Sequence, residues 1–154
     1  MLRHYRNRDT VRLTPLLPSI LILFAVALNG LWLPQSHASA ADTDQVRLAE
    51  EWLGHIDNSH YSRSWDTAAG YLKKQIPTDQ WTRNLTTHRQ PFGSVLTRHH
   101  QKTDHRNDLP NVPKGSYAIV YFATSFEHKR EAMETVVLYK EADGAWKSIG
   151  YTIK

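Results

Sequence analysis

The sequence predicts an α+β fold, three N-terminal helices packed on a four-stranded antiparallel sheet. Two changes of rhythm and one turn carry this reading. Between residues 42 and 90 the apolar side chains recur at steps of three and four, the spacing of one helical face. From Ser94 onward the period becomes two, the spacing of a half-buried strand. Asp143-Gly144, a favoured tight-turn dipeptide, separates the last two strand-like runs. Helices first and strands afterwards point to segregated layers rather than alternating βαβ units.

The first helix starts near Asp42, which has capping-box spacing to Gln45. Val46, Ala49, Leu53 and Ile56 make its apolar stripe, with Trp52 beside it. Asp57-Asn58-Ser59 reads as a turn and a fresh N-cap. A second helix carries Tyr61, Trp65, Ala68, Leu72 and Ile76 on one face and ends at Pro77, which excludes helical geometry at Ile76. Thr78 caps a third, shorter helix bearing Trp81, Leu85 and His88. The strands follow as a polar edge strand over 94–103, an apolar strand over 116–126, and a hairpin of 132–142 with 145–153. The loop between the first two holds Pro110 and Pro113, which preclude a regular strand there.

Residues 1–40 read as an export signal: Arg3, Arg6, Arg8 and Arg12 precede an apolar stretch, and Ala38-Ser39-Ala40 supplies small residues for cleavage. The alternative is an uncleaved anchor, but the unbroken apolar run from Ile20 to Leu28 is nine residues. Crossing the hydrocarbon core takes ~20. The expected mature chain is residues 41–154, one domain, exported to the periplasm, with no stable membrane span after cleavage. The formal charge of the whole chain is +4. The first forty residues hold four arginines against Asp9, so the remainder carries fifteen basic and fourteen acidic residues, a net of +1. That balance gives no nucleic-acid footprint, and Arg98, Lys102 and Arg106 read as a mild, solvated basic strip.

The chain has no cysteine, which excludes thiol chemistry, disulfides and a lipid-anchoring cysteine. Walker, dinucleotide-binding, nucleophile-elbow and zinc-protease patterns are absent. His99 and His100 are adjacent on a strand and so point to opposite faces, which prevents joint chelation. Neither metal nor cofactor is expected. The aromatics are the informative excess. Besides packing the core, Tyr61, Trp65, Trp81 and Tyr151 are candidates to line a ligand pocket between helices and sheet, with Arg89 offering charge to an anionic ligand.

A two-residue Asp143-Gly144 loop would place Leu138 opposite Ile149, Val136 opposite Tyr151 and Glu134 opposite Ile153. One face then reads Glu134, Val136, Leu138, Ile149, Tyr151, Ile153, and packs on the helices. The other carries Val137, Tyr139, Trp146 and Ser148. Glu134 is thereby put on a core-facing row, diagonal to Tyr151, where a phenol could donate to the carboxylate. Desolvation raises the pKa of such a carboxylate unless a donor or cation holds its charge, and Lys129 and Arg89 are the candidate cations. The competing reading is a strand-end glutamate facing water.

The ordered segments Trp52-Leu53 to Asp57, Tyr61 to Trp65, Trp81 to Leu85 and Arg89-x-Pro91-Phe92-Gly93 form a pattern. It continues with Leu109-Pro110-x-x-Pro113-x-Gly115-x-Tyr117, Phe126-x-x-Lys129, Glu134-Thr135-Val136 and Gly144-Ala145-Trp146-x-x-x-Gly150-Tyr151. Together they resemble the bacterial domain-of-unknown-function family 4019 over nearly all of residues 41–154. The resemblance implies small exported proteins with a cone-like fold of the nuclear-transport-factor-2 type, a curved sheet wrapped around helices and enclosing a pocket. It also implies sheet-to-sheet pairing into a homodimer, and it assigns no activity. Asn111 stands where a glycine is expected; asparagine tolerates the left-handed region better than most residues. The expected function is a non-catalytic binding or accessory domain for a small apolar ligand or an envelope protein. The alternative is a small cofactor-free isomerase or hydrolase built on Glu134 and Tyr151. A purely structural dimerisation module is the third reading.

Overall fold

A computed structural model describes residues 40–154. The expected export signal therefore lies outside the described residues, except for Ala40. Four α-helices come first: α1 Ala40–Asp57, α2 Tyr61–Asp66, α3 Gly70–Gln75 and α4 Thr78–His88, followed by a short 3-10 turn, Gln90–Phe92. Four strands follow, β1 Val95–Arg106, β2 Tyr117–Phe126, β3 Ala132–Lys140 and β4 Trp146–Ile153. They pair antiparallel in the order β1-β2-β3-β4. Among the described residues no helix is long and apolar enough to cross a membrane.

The expected second helix is two helices. Ala69 is extended (φ −60°, ψ 147°), and its N–H donates to the carbonyl of Ser148 at 2.8 Å. The break falls between Thr67 and Gly70, both poor helix formers, and a tertiary hydrogen bond to β4 fixes it there. Three expected caps are also replaced, one of them by His60, which takes the N-cap of α2 directly after Ser59. Pro77 occupies the N-cap of α4, and the Thr78 hydroxyl is buried without a partner. Asp42 reaches across to β1, where its carboxylate meets His105 Nε2 at 2.6 Å.

The core lies between the helices and one face of the sheet. Ala49, Trp52, Leu53 and Ile56 from α1 meet Ala118, Val120 and Phe122 from β2 and Val136 and Leu138 from β3. The alternation expected for β2 and β3 is present, with every even-numbered residue from 118 to 126 and from 134 to 138 buried.

The hairpin corrects the register expected at its turn end. Glu141 N–H donates to Ala145 carbonyl and Gly144 N–H to Glu141 carbonyl, so Ala142-Asp143-Gly144 form a three-residue loop with Gly144 left-handed (φ 85°). That loop shifts the register by one: Leu138 lies opposite Ser148, not Ile149, and Lys140 opposite Trp146. A bulge at Ile149 then takes up the extra residue, and Val136 pairs with Tyr151 and Glu134 with Ile153 as expected. Ser148 and Trp146 accordingly leave the outer face. Ser148 is buried, and Trp146 packs on the core.

Candidate functional site

The site is assembled from the far end of the hairpin, where the bulge has restored the register. Glu134 is fully buried at 0% exposure, and all three neighbours within bonding distance donate to it. Tyr151 hydroxyl reaches Oε1 at 2.5 Å; Thr124 hydroxyl and Arg98 Nε reach Oε2 at 2.6 and 2.7 Å. Thr124 is on β2 two residues beyond Phe122, which pairs with Glu134, so strand alternation puts it on the same face. The water-facing reading of Glu134 is thus overturned by its burial.

The cation is Arg98, not Lys129 or Arg89. Beyond Glu134, the Arg98 terminal nitrogens grip Asp57 in a fork, at 2.7 and 3.1 Å. Arg89 reaches the same carboxylate from α4 at 3.0 Å. Two guanidiniums and two carboxylates therefore form a neutral chain, Arg89–Asp57–Arg98–Glu134, joining the end of α1, the end of α4, β1 and β3. Burial works against the Arg98 charge, but its bonds to Asp57 and Glu134 outweigh it and hold the guanidinium pKa above its ordinary value. Burial, together with the adjacent Glu134 charge, pushes the Tyr151 phenol well above the ordinary tyrosine range. It stays a donor throughout the neutral range.

Arg98 does not belong to a solvated strip. A bulge between His100 and Lys102 splits β1. Arg98 and His100 pair with the core-facing Thr124 and Phe122, whereas Lys102 and Arg106 pair with Tyr121 and Tyr117 on the other face. Asp57, expected as a turn residue, is the last residue of α1, with its side chain turned to the sheet.

In front of this chain lies an open cleft of about 450 Å³ between α4, the 3-10 turn and β4. Trp81, Leu85, Phe92, Tyr151 and Ile153 give it apolar walls, and Asn84, His88, Arg89 and Thr152 add polar groups. Tyr151 faces both ways: its ring lines the cleft and its hydroxyl is spent on Glu134 behind it. Of the residues expected to line a pocket, Trp81, Arg89 and Tyr151 border this cleft, and Glu134 sits behind its wall. Tyr61 is in the core, and Trp65 packs at the surface beneath Lys73, with its indole N–H on the Ile76 carbonyl at 2.8 Å. Neither reaches the cleft.

The indoles are fixed by one serine. Trp81 Nε1 donates to the Ser64 hydroxyl at 2.9 Å and Trp52 Nε1 to the Ser64 carbonyl at 2.8 Å. Trp52 in turn meets Tyr151 edge to face, centroids 5.8 Å apart. Trp52, Trp81 and Tyr151 are therefore held in place by their own hydrogen bonds and ring contacts. Arg89 is 4% exposed, stacks on Phe126 at 4.3 Å, and donates from its other terminal nitrogen to the Gly93 carbonyl at 2.8 Å. Its Nε–H alone has no acceptor. An orphaned buried donor of this kind costs ~1–3 kcal/mol. No cluster of three or more histidine or acidic side chains suited to a metal ion occurs among the described residues.

Ninety residues of the chain, 57% of it, are 26% identical to a segment of the probable serine/threonine-protein kinase FMP48 of Saccharomyces cerevisiae. That segment is 24% of the yeast protein, so the chain spans about a quarter of that relative's length. No solved structure matches the chain. Residues 48–151, which include Asp57, Arg89, Arg98, Glu134 and Tyr151, match the family described as "Protein of unknown function (DUF4019)", and the chain belongs to that family.

Proposed function

We propose that the protein is an exported, periplasmic, non-catalytic binding domain whose cleft between α4 and β4 takes a small ligand with an apolar body. The observation that carries this is the division of labour at Tyr151. The aromatic ring borders an open cleft, while the Glu134 carboxylate behind it is fully buried among its own donors. Glu134 has Tyr151 on one oxygen and Thr124 and Arg98 on the other, and it does not border the cleft. A general base needs a free lone pair within reach of a substrate proton. The arrangement therefore favours binding over the isomerase or hydrolase alternative. The yeast kinase offers no support for phosphoryl transfer, since the 154 residues contain no glycine-rich loop, HRD or DFG triplet.

The helices lie on one face of the four-stranded sheet, and that layering supports the cone-like, nuclear-transport-factor-2-type reading. Its outer face carries Ile119, Tyr121, Val137 and Tyr139, none fully buried, a patch suited to sheet-to-sheet pairing of two copies. Binding is tested with Nile red, a neutral apolar dye, titrated into the protein and into Asn84→Trp, which puts an indole into the cleft from exposed α4. Saturable enhancement that Asn84→Trp removes supports the reading. Enhancement that is absent, or identical in the variant, refutes it.

A further inference from the structure

We propose that the cleft selects a small amphipathic monocarboxylate, with its carboxylate on the Nε edge of Arg89 and its apolar body against Trp81, Leu85 and Ile153; this deepens the binding reading above and rests on it. The guanidinium of Arg89 has two of its three nitrogens committed, one to Asp57 and one to the Gly93 carbonyl. Nε has no acceptor and no surface open to solvent, so a carboxylate in the cleft reaches it by displacing a neighbouring side chain. Native structures leave few buried donors in that condition, and a frequent reason is a missing partner. Nε–H and an N–H of the neighbouring terminal nitrogen form a planar fork that matches the two oxygens of a carboxylate.

The charges around the cleft agree with an anion. No carboxylate lines it, Arg89 is the cation in its wall, and His88 stands nearby. Asp57, the counter-ion of Arg89, also holds the fork of Arg98, and Glu134 balances the second guanidinium, so the anion is selected by the unmet Nε–H donor and not by surplus charge. Trp81, Leu85, Phe92 and Ile153 in the same wall offer apolar surface to an organic body behind the acid group. A volume of about 450 Å³ suits a short alkyl or aryl chain, towards the lower end of small-molecule sites.

Calorimetric titration of the full chain with octanoate, octanol and octylammonium separates these claims, because the three share one tail. Octanoate is expected to bind at least about tenfold more tightly than octanol, and octylammonium no better than octanol. Asn84→Trp is expected to abolish octanoate binding. Arg89→Lys keeps a cation for Asp57 but lacks the fork, and is expected to bring octanoate down to the affinity of octanol. Should circular dichroism show Arg89→Lys unfolded, the wild-type ligand series and Asn84→Trp decide the matter. Equal affinities for octanoate and octanol, both lost in Asn84→Trp, would overturn the carboxylate inference and leave the binding cleft standing. An octanoate preference that survives Asn84→Trp would place the anion elsewhere and overturn the inference. Absence of binding by all three tails, with Nile red also excluded, would overturn both.

Discussion

Glu134, Arg98 and Asp57 form an ionic chain in which each member has more than one partner, and that redundancy sets what a single substitution does. Removing the sole partner of a buried ion costs ~3–5 kcal/mol. In Glu134→Gln the amide still accepts from Tyr151, and Arg98 retains the Asp57 fork, so a loss of about 2–3 kcal/mol in urea unfolding is expected. Arg98→Met combined with Glu134→Leu is expected to be more stable than either single change, because no charge is then left alone. The phenol of Tyr151 carries a pH signature. Its folded pKa is raised above the ordinary value of 10.0, so its contribution is complete below that pH and declines as the pH climbs past it. Burial raises the Tyr117 phenol as well, so spectrophotometric titration is expected to show more than one tyrosine ionising only as the protein unfolds in alkali, and Tyr151→Phe is expected to reduce that phase by one tyrosine.

At the scale of elements, two backbone donors tie the helices to the hairpin beside their shared core. Ala69 N–H holds β4 through Ser148, and Gly70 N–H at the start of α3 donates to Glu141 at 2.7 Å. Ala69 already has the φ of proline, so Ala69→Pro removes the hydrogen bond with little backbone strain; a loss of ~1–3 kcal/mol in chemical unfolding is expected. Glu141 also pairs with Lys147 at 2.8 Å, and this bond, then that to Gly70, holds its pKa below the ordinary value. Its contribution is present above that ordinary value and fades as the pH falls through the lowered one. Glu141→Gln is therefore expected to flatten the acid limb of a stability–pH curve. Much of this architecture is legible in the sequence, since β2 and β3 alternate without interruption and place Glu134 beside Tyr151. Arg98 is not, because the bulge near Gln101 changes the phase of β1. In an uninterrupted strand Arg98, His100 and Lys102 would share one face and read as a solvated strip. Asp57 is hidden for a different reason: Asp-Asn-Ser is turn chemistry, and nothing local reveals that its carboxylate faces two distant arginines.

At the scale of the whole molecule, export and pairing are the open expectations. Mass spectrometry of protein from the native envelope is expected to find an N-terminus at or near Ala41; intact Met1 in the inner membrane would support the anchor instead. Sedimentation at high micromolar concentration is expected to show a dimer, which Val137→Lys on the outer face dissociates without unfolding the monomer. A monomeric wild type would argue that this face is sufficiently covered by its own chain. The hairpin carries a consequence for the lineage of this protein as well. Ala142 in its three-residue loop and Ile149 in the bulge are residues that the ladder leaves unpaired. Loss of Ala142 leaves Asp143-Gly144, itself a favoured two-residue turn, on the same closing pair, and loss of Ile149 flattens the bulge; both keep Val136 opposite Tyr151. Among descendants of this sequence, single-residue gaps are therefore expected at either place independently, whereas loss of the paired Val137 would slide Tyr151 by one place and turn it away from its carboxylate.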